Sequence, residues 1–279
     1  MLTVACIKQV PDTTQVRIDP ETNALIREGI PFIINPYDLH ALEESLRFQE
    51  RFGLRSVALS MGPLNAEAAL RRALALGAES AVLLSDRCFG GADTLATSRV
   101  LAAAIARLAE EEELAVVFCG KQTIDGDTAQ VGPGIATHLG LHQLTLVDCI
   151  EYFDLQKRRI RVRRRLEDRL EIVEAPLPVL ITVVRELNRP RYPTVPARLA
   201  AAKRALTIWD NQVLRLDTAL TGFKGSPTVV KRIFSPEQKS GEILGDGLRD
   251  PKAAVDLLMQ RLQEQELVQS HFDGTGGRS

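Results

Sequence analysis

Residues that could contact a nucleotide or a phosphate are concentrated in one stretch of this chain, residues 119–134, which mixes hydroxyl, amide and carboxylate side chains with glycines. The stretch follows an apolar run at 114–118, typical of a buried strand, and precedes residues 135–139, which favour a helix. A helix that begins where a parallel strand ends offers free backbone N–H groups, and these bind phosphate in open α/β sheets. A connection that only turned the chain would be shorter and less polar. We therefore predict a ligand-binding loop here and keep a plain connection as the alternative.

Two common phosphate-binding motifs do not account for this stretch. Gly120 and Lys121 resemble the end of a P-loop, but Gln122 stands where that motif needs Ser or Thr, and Ala115 stands where its first glycine belongs. No Gly-x-Gly-x-x-Gly pattern follows any of the predicted strands. The loop must therefore bind its ligand by another scheme.

The elements that would position this loop form an alternating pattern. Short apolar runs predict strands near residues 2–7, 56–60, 81–84, 114–118 and 145–150, and helices are predicted at 38–52, 66–76, 95–111 and 135–139. Strands that alternate with helices form a mostly parallel sheet covered on both faces. We predict a doubly wound, Rossmann-like α/β domain over residues 1–205, with a hairpin excursion at 14–33.

Three further groups of residues lie at the predicted ends of strands or starts of helices. Lys8 follows the first strand, where a solvated lysine is as plausible as a ligand contact. Asn35 and Asp38 precede or begin a helix, where capping alone would explain them. The glycines, carboxylate and hydroxyl of residues 90–94 suit a pyrophosphate at a helix start, but a turn with an Asp93 cap explains them equally well.

The chain changes character after residue 150. Residues 152–166 and 170–184 have the pattern of exposed strands, and arginines alternate there with apolar residues. These arginines are not interleaved with aromatic residues and are offset by nearby carboxylates, which favours a solvated or subunit-facing hairpin over a nucleic-acid surface. Residues 185–196 are rich in proline and predict a stiff exposed loop, followed by a short basic helix at 197–206.

Residues 206–279 contain too few apolar residues to form a core of their own. They include one amphipathic helix at 250–267, between segments rich in glycine, serine and proline. An isolated amphipathic helix needs another surface to bury its apolar face, so we predict an arm that packs on a partner subunit outside the sheet. We expect the tail after His271 to be disordered.

Composition narrows the class of protein further. With 45% hydrophobic and 25% charged residues and a net charge near −1, the chain has no general attraction to nucleic acid or membranes. Its four cysteines are scattered, which favours a reducing compartment, and we detect no signal peptide or transmembrane run. These features predict a cytoplasmic protein without membrane insertion.

No catalytic group of residues is evident in the sequence. The four histidines have neither metal-ligand spacing nor a Ser or Cys partner, so we predict no metal site. Asp125 and Asp127 could act as an acid–base pair, but carboxylates in such glycine-containing loops more often bind ribose or order the loop itself. A protein that holds a nucleotide cofactor, and leaves the chemistry to that cofactor, fits these residues better.

Four segments, in order, resemble the beta subunit of electron-transfer flavoproteins: Cys-Ile-Lys-Gln-Val-Pro-Asp-Thr (6–13), Ile-Asn-Pro-Tyr-Asp (34–38), Gly-Lys-Gln-Thr-Ile-Asp-Gly-Asp-Thr-Ala-Gln-Val-Gly-Pro (120–133) and Leu-Asn-Arg-Pro-Arg-Tyr-Pro-Thr-Val-Pro (187–196). The similarity covers about residues 1–205 and weakens beyond. It implies a heterodimer whose alpha subunit carries FAD, while the beta subunit binds a second adenine nucleotide. That nucleotide is AMP in simple members and FAD, reduced by NADH, in electron-bifurcating members.

The resemblance also implies roles for individual residues. The residues expected to bind the cofactor are Cys6, Lys8, Asn35, Pro36, Tyr37, Asp38, Met61, Gly120, Lys121, Gln122, Thr123, Asp125, Gly126, Asp127, Thr128, Ala129, Gln130 and Val131. NADH is expected to approach near Gly90, Gly91, Asp93 and Thr94. An acyl-CoA dehydrogenase-type or quinone-reducing partner, of the kind that serves fatty acid beta-oxidation, is expected to dock on Arg189, Arg191, Tyr192 and Val195.

Three functions remain open on the sequence. The 125–133 pattern resembles the bifurcating branch, which predicts FAD and NADH in this subunit, whereas the docking loop resembles the simpler members. The second function is therefore a conventional electron carrier in which AMP stabilises the subunit. The third is a non-redox ATP- or AMP-binding module, such as a ligase or nucleotide sensor, although the Ser-Gly-Gly-x-Asp-Ser pyrophosphate loop of such ligases is absent from the sequence.

Overall fold

The computed structural model describes residues 1–12, 17–18, 25–26, 31–231 and 241–265. The chain divides into two compact units, Met1–Val229 and Val230–Ser279. In chain order the strands are β1 (Leu2–Cys6), β2 (Gln9–Pro11), β3 (Arg17–Ile18), β4 (Leu25–Ile26), β5 (Phe32–Ile34), β6 (Arg55–Met61), β7 (Ser80–Leu84), β8 (Leu114–Gly120), β9 (His142–Asp154), β10 (Arg159–Arg165), β11 (Leu170–Pro176), β12 (Val179–Val183) and β13 (Thr207–Trp209). The helices are α1 (Pro36–Phe52), α2 (Glu67–Leu76), α3 (Thr94–Glu111), α4 (Val131–Leu139), α5 (Val195–Lys203), α6 (Asn211–Leu214) and α7 (Pro251–Glu264).

Nine strands of the first unit form one sheet in the order β11-β10-β9-β12-β8-β1-β6-β7-β13. In this spatial order, all neighbouring strands from β9 to the β13 edge are parallel. The pairs at the other edge of the sheet, β9–β10 and β10–β11, are antiparallel. The predicted fold class, a mostly parallel α/β sheet with a hairpin at one edge, is therefore confirmed.

Helices cover both faces of this sheet because the buried strands are apolar on both sides. Leu2, Val4 and Cys6 of β1 pack in one core cluster with residues of α3 and α4. Ala5, between them, packs on the opposite face with residues of α1 and α2. This period-two alternation along β1 places the sheet between two helical layers.

The hairpin at the β11 edge differs from the sequence expectation in one important respect. Residues 170–184 are not a single exposed strand, because the chain turns after Pro176 and then enters the sheet between β8 and β9 as β12. All five residues of β12 are buried. The arginines of β10 form ion pairs with carboxylates of the neighbouring strands β9 and β11. Asp148 of β9 pairs with two of them, Arg163 and Arg165.

Several predicted boundaries also shift. The expectation that residues beyond 206 lie outside the sheet is wrong for β13, which pairs in parallel with β7 at the other edge. Helix α4 begins at Val131, four residues earlier than predicted, and α5 begins at Val195. In the predicted 14–33 excursion, β3 pairs with β4 in antiparallel fashion. Residues 19–24 between these strands lie outside the described residues, as does the predicted disordered tail after His271.

The second unit contains α7, and Asp250 is the N-cap of this helix. This helix confirms the predicted amphipathic segment up to residue 264, and residues 266–267 lie outside the described part of the chain. Its packing on a partner subunit stays a prediction. None of the helices in the described residues combines the length and the apolar character needed to cross a bilayer.

Candidate functional site

The 120–131 loop lies where the sheet reverses the direction of its strand order. The chain runs from β1 outward through β6 and β7 on one side, and then returns to place β8 on the other side of β1. The carboxyl ends of β1 and β8 are therefore neighbours from which the chain departs to opposite sides. Such a switch point leaves a crevice, and ligands of open α/β folds bind there.

Asp38 connects the two strand ends beneath this crevice. Its Oδ2 accepts from the backbone N–H of Lys8 at 2.8 Å, and its Oδ1 accepts from that of Gly120 at 3.2 Å. The alternative that the side chains of Asn35 and Asp38 only cap α1 is wrong, because Asn35 is the N-cap without a side-chain capping bond and Asp38 lies inside the first turn. Burial raises the pKa of Asp38 to about 7, although hydrogen bonds from Asn35, Lys8 and Gly120 and the charge of Lys8 oppose this shift.

Asn35 fixes the first half of the loop. Its side-chain Nδ2 donates to the carbonyl of Gln122 at 2.9 Å, and its Oδ1 accepts from the N–H of Ile124 at 3.1 Å. The Asn35 side chain is fully buried, so its amide is used within the protein. We therefore attribute to Asn35 the conformation of residues 122–124.

An ion pair holds the middle of the loop against the first strand. The Nζ of Lys8 lies 2.6 Å from Oδ2 of Asp125. Partial burial by itself would raise the pKa of Asp125, but hydrogen bonds from Lys8 and Thr123 and the charge of Lys8 outweigh it and leave this pKa below its ordinary value. The Lys8 ammonium group is therefore paired with a carboxylate of the loop and is not simply a solvated lysine. The amide of Gln122 holds the next carboxylate by donating to Oδ1 of Asp127 at 2.8 Å.

The second half of the loop has backbone N–H groups without acceptors. Among the described residues, the N–H groups of Thr128, Ala129, Gln130 and Val131 make no hydrogen bond. Asp127 and Ala129 take positive φ angles of 50° and 55°, which turn the chain so that these groups follow one another into α4. All residues from 125 to 130 are exposed. The start of α4 can therefore accept an anion without displacing a bond of the protein.

The start of α3 is different, although the sequence suggested a second phosphate site there. Oδ1 of Asp93 accepts from the N–H groups of Leu95 and Ala96, each at 3.0 Å, so the carboxylate caps the helix. Its Oδ2 accepts from the N–H and the hydroxyl of Thr228 at 3.1 and 2.8 Å. The Asp93 cap that the sequence left open is therefore confirmed.

The glycines before α3 lie against a later part of the chain. The carbonyl of Gly90 accepts from the N–H of Phe223 at 2.9 Å, and a Cβ at Gly91 would lie 3.3 Å from the Cβ of Phe223. Gly90 and Gly91 are nevertheless exposed. One bond joins the two helix starts, since the hydroxyl of Thr94 donates to Oε1 of Gln130 at 2.8 Å.

The remaining predicted cofactor residues surround the strand ends. Cys6 and Cys119 occupy paired positions on β1 and β8, and the neighbouring Cys6 thiol together with burial raises the pKa of the Cys119 thiol. Met61 ends β6 and is partly buried, as is Tyr37, whereas Pro36 is exposed. Thr123 and Lys121 are partly buried within the loop. All four cysteines of the chain are free thiols.

The predicted docking residues separate into two groups. Arg191 is committed to α1, because its guanidinium and backbone N–H bond Glu43 and its guanidinium also bonds Glu50. Tyr192 and Val195 are 87% and 68% exposed, and Arg189 is exposed as well. Arg191 therefore anchors the 189–196 loop while two apolar side chains project from it.

Sequence reasoning missed residues that determine how closely the elements approach at this site. A Cβ at Gly132 would lie 2.8 Å from Cγ2 of Thr182 on β12, and one at Gly134 would lie 2.7 Å from Oγ of Ser98 on α3. The glycines of α4 thus allow the helix to pack against both neighbours. The Gly-x-Gly pattern within α4 was the only signal of this packing. Within the described residues, no group of three or more His, Cys, Asp or Glu could hold a metal.

Comparison with known proteins gives consistent results. Residues 22–214 match the family model described as "Electron transfer flavoprotein domain". The chain is 46% identical over 265 residues to Protein FixA of Azotobacter vinelandii, covering 94% of each chain. It is also 46% identical over 266 residues to the electron transfer flavoprotein subunit beta of Clostridium acetobutylicum, covering 95% of this chain and 99% of that one. A similar protein from Megasphaera elsdenii, also described as subunit beta, is 43% identical over 270 residues.

Proposed function

Because the chain belongs to the electron transfer flavoprotein family, as a beta subunit, we propose that it holds an adenine nucleotide in the 120–131 loop. It does so as one half of a heterodimer with an alpha subunit that carries FAD. Electrons pass through this complex to a redox partner. When bound, a flavin supplies the electron-transfer chemistry, and the residues of this chain supply binding and orientation.

The observation that carries this proposal is the set of N–H groups at residues 128–131, which lie at the switch point of the sheet and have no acceptor among the residues that the structure describes. Each hydrogen bond from such a group to a phosphate oxygen contributes about 1.5–3 kcal/mol, because the acceptor is charged. The dipole of α4 favours the same anion. Asn35, Asp38 and Lys8 hold the loop in place from the protein side. The donor set therefore fits the adenylate end that AMP and FAD share.

We further propose that the nucleotide is FAD, that NADH reduces it near Gly90, Gly91, Asp93 and Thr94, and that the complex bifurcates electrons. The resemblance of residues 125–133 to the bifurcating branch supports FAD. The Thr94–Gln130 hydrogen bond supports the approach of a second ligand, because it makes the two helix starts neighbours at one edge of the sheet. The exposed Gly90 and Gly91 leave backbone accessible there.

A specific observation favours the second candidate, a conventional carrier with AMP. Asp93 occupies the N-terminal N–H groups of α3 and adds a negative charge beside them. A pyrophosphate would have to displace this carboxylate or bind elsewhere. AMP needs only the start of α4, so this arrangement is compatible with AMP alone.

Counting the nucleotides released from the denatured, purified heterodimer distinguishes the two candidates. We expect about two FAD per complex, no AMP, and flavin reduction by NADH, because each subunit then holds one flavin. One FAD together with one AMP would transfer the function to the conventional carrier. A complex whose beta subunit holds no adenine nucleotide would refute both.

We also propose that residues 189–196, the loop at 189–194 and the first two residues of α5, dock an acyl-CoA dehydrogenase-type or quinone-reducing partner, with Val195 as the apolar contact. An exposed apolar side chain at a helix start that is flanked by prolines loses little conformational entropy on binding. Val195→Ala should slow electron transfer to the partner and leave the nucleotide content unchanged. Ile172→Ala is the matched control, since Ile172 is a β-branched residue that is 64% exposed on β11. Equal transfer rates in the Val195 variant and the parent would remove this loop from the docking surface.

A further inference from the structure

The side chain of Asp38 bonds both strand ends at the switch point. Lys8 and Gly120 are 30 and 82 residues away from it in the chain, and each donates its backbone N–H to a different oxygen of this carboxylate. Lys8 continues into the ion pair with Asp125, and Gly120 begins the 120–131 loop. The carboxylate of Asp38 therefore sets how far apart the two supports of the loop lie.

The contact at Gly120 is close as well as bonded. A Cβ at this position would lie 2.3 Å from Oδ1 of Asp38 and 2.8 Å from the backbone carbon of Tyr37. The start of α1 thus lies so close to the end of β8 that position 120 has no room for a side chain. Asp38 is only 5% exposed, and both of its oxygens are used by backbone groups. Any effect it has on a ligand must pass through the loop.

We propose that ionised Asp38 is a positioning residue that holds the 120–131 loop in its nucleotide-binding conformation, so that protonation of Asp38 weakens nucleotide binding. This inference rests on the proposed nucleotide-binding function of the loop. A carboxylate can accept from both N–H groups at once, whereas a carboxylic acid directs its own proton at one of them. Protonation therefore releases either the end of β1 or the end of β8.

Asp38 titrates in a range that makes this effect measurable, since its pKa is raised to about 7 by burial. The charged or titratable groups around it come from several elements. Lys8 after β1 and Cys119 on β8 interact electrostatically with Asp38. Asp125 is linked to Asp38 indirectly, because it forms an ion pair with Lys8. His40 lies on the same helix and its Nδ1 bonds Oδ1 of Asn188, 3.0 Å away.

The expected effect follows from the fraction of protein in the ionised form. With a pKa of about 7, this fraction falls about tenfold between pH 8 and pH 6, and the apparent Kd rises by the same factor if only the ionised form binds. The measurement is equilibrium dialysis of the full heterodimer, with AMP and FAD as separate probes, at several pH values in this range. The phosphate monoester of AMP itself titrates near pH 6. The comparison with a variant is therefore the decisive readout.

Asp38→Asn is that variant, because an amide has only one acceptor oxygen for the two N–H groups and keeps it at every pH. We expect it to bind each probe about tenfold more weakly than the parent at pH 8 and to lack the additional loss at pH 6. His40, Lys8 and Asp125 remain in this variant, so any pH dependence that they cause would persist in it. Glu44→Gln is the matched control, because Glu44 is another buried carboxyl of α1 with a raised pKa and bonds Asn188. It should keep the pH profile of the parent.

Two outcomes would overturn the inference. One is a parent affinity that does not change between pH 6 and pH 8. The other is an Asp38→Asn variant with the same pH profile as the parent, which can be judged even if the variant is less stable. Failure of the proposed function would look different, because the parent would then bind neither AMP nor FAD in this subunit at any pH.

Discussion

The starts of α3 and α4 look alike in the sequence and differ in the structure. Each follows a buried strand through a polar, glycine-containing segment. At α3 the chain supplies its own anion, since Asp93 accepts from Leu95 and Ala96. At α4 the cap residue Gln130 makes no side-chain capping bond, and the preceding N–H groups have no acceptor among the described residues. A helix start is available to a ligand only where the protein leaves it unsatisfied.

The two regions also differ in what supports them. The start of α3 is held by the later segment around Phe223 and Thr228. The loop before α4 is held by buried polar groups of α1, namely Asn35 and Asp38. Burying a carboxylate costs stability, so the α4 region trades stability for an ordered and open loop.

The largest effect concerns the pH dependence of stability in the absence of nucleotide. Since the pKa of Asp38 rises from 3.8 to about 7 on folding, the stabilisation from its protonation is complete below pH 3.8 and is lost as the pH rises through 7. Between pH 5 and pH 8 this loss is at most about 3 kcal/mol. Urea unfolding should show a larger decrease over this interval for the parent than for Asp38→Asn. Identical decreases would show that the support of the α4 loop carries no buried charge.

The second effect concerns the close approach of α1 to the same loop. Gly120→Ala should lower the free energy of unfolding by about 1–3 kcal/mol, because the new methyl group would meet the Asp38 carboxylate and the backbone of Tyr37. Gly126→Ala is the matched substitution, since the nearest atom to a Cβ there is Oγ1 of Thr123 at 3.7 Å. Its unfolding midpoint in urea should match that of the parent. Equal destabilisation by both would argue against a tight contact at Gly120.

The third effect compares the two helix starts directly. Asp93→Ala removes the cap of α3 and should lower the free energy of unfolding by about 1 kcal/mol. Thr128→Ala, just before α4, should change it by less than about 0.5 kcal/mol in the nucleotide-free protein, since the Thr128 hydroxyl has no partner among the described side chains. Thermal unfolding of the two variants side by side gives the answer. A larger loss at Thr128 would mean that α4 has a cap of its own.

The smallest effect concerns the bond between the two regions. Thr94→Val removes the hydrogen bond from the Thr94 hydroxyl to Gln130. Because this bond is exposed to solvent, the free energy of unfolding should fall by about 0.5 kcal/mol. Thermal unfolding against the parent measures this loss. If it exceeded that of Asp93→Ala, the two helix starts would be coupled and could not be treated as separate sites.

Much of the fold could be predicted from local pattern. The apolar runs that became β1, β6, β7 and β8 lie between helices with clear stop signals such as Gly77. The sequence pattern did not predict the positions of β12 and β13 in the sheet. An apolar run that follows an exposed strand after a short turn does not reveal that it inserts between distant strands, and a strand of three residues has no periodicity to detect.

The site was predictable where it is contiguous. Residues 120–131 form one polar segment between a strand and a helix, and the structure shows that connection, while its binding of a nucleotide stays a proposal. The role of Asp38 could not be inferred in the same way, because it depends on backbone groups of Lys8 and Gly120 that only the register of β1 with β8 brings together. The occupied start of α3 was equally hidden, since Thr228 reaches Asp93 from 135 residues away.

We propose that the start of α4, and not that of α3, receives the phosphate of an adenine nucleotide. Hydrogen–deuterium exchange of the purified heterodimer, with and without added AMP or FAD, tests it directly. We predict that nucleotide slows exchange in peptides covering residues 128–131 and leaves the amides of 95–96 unchanged. Leu95 and Ala96 already donate to Asp93, whereas the N–H groups of 128–131 have no acceptor in the described part of the chain. Protection at 95–96 with none at 128–131 would instead assign the phosphate to the start of α3.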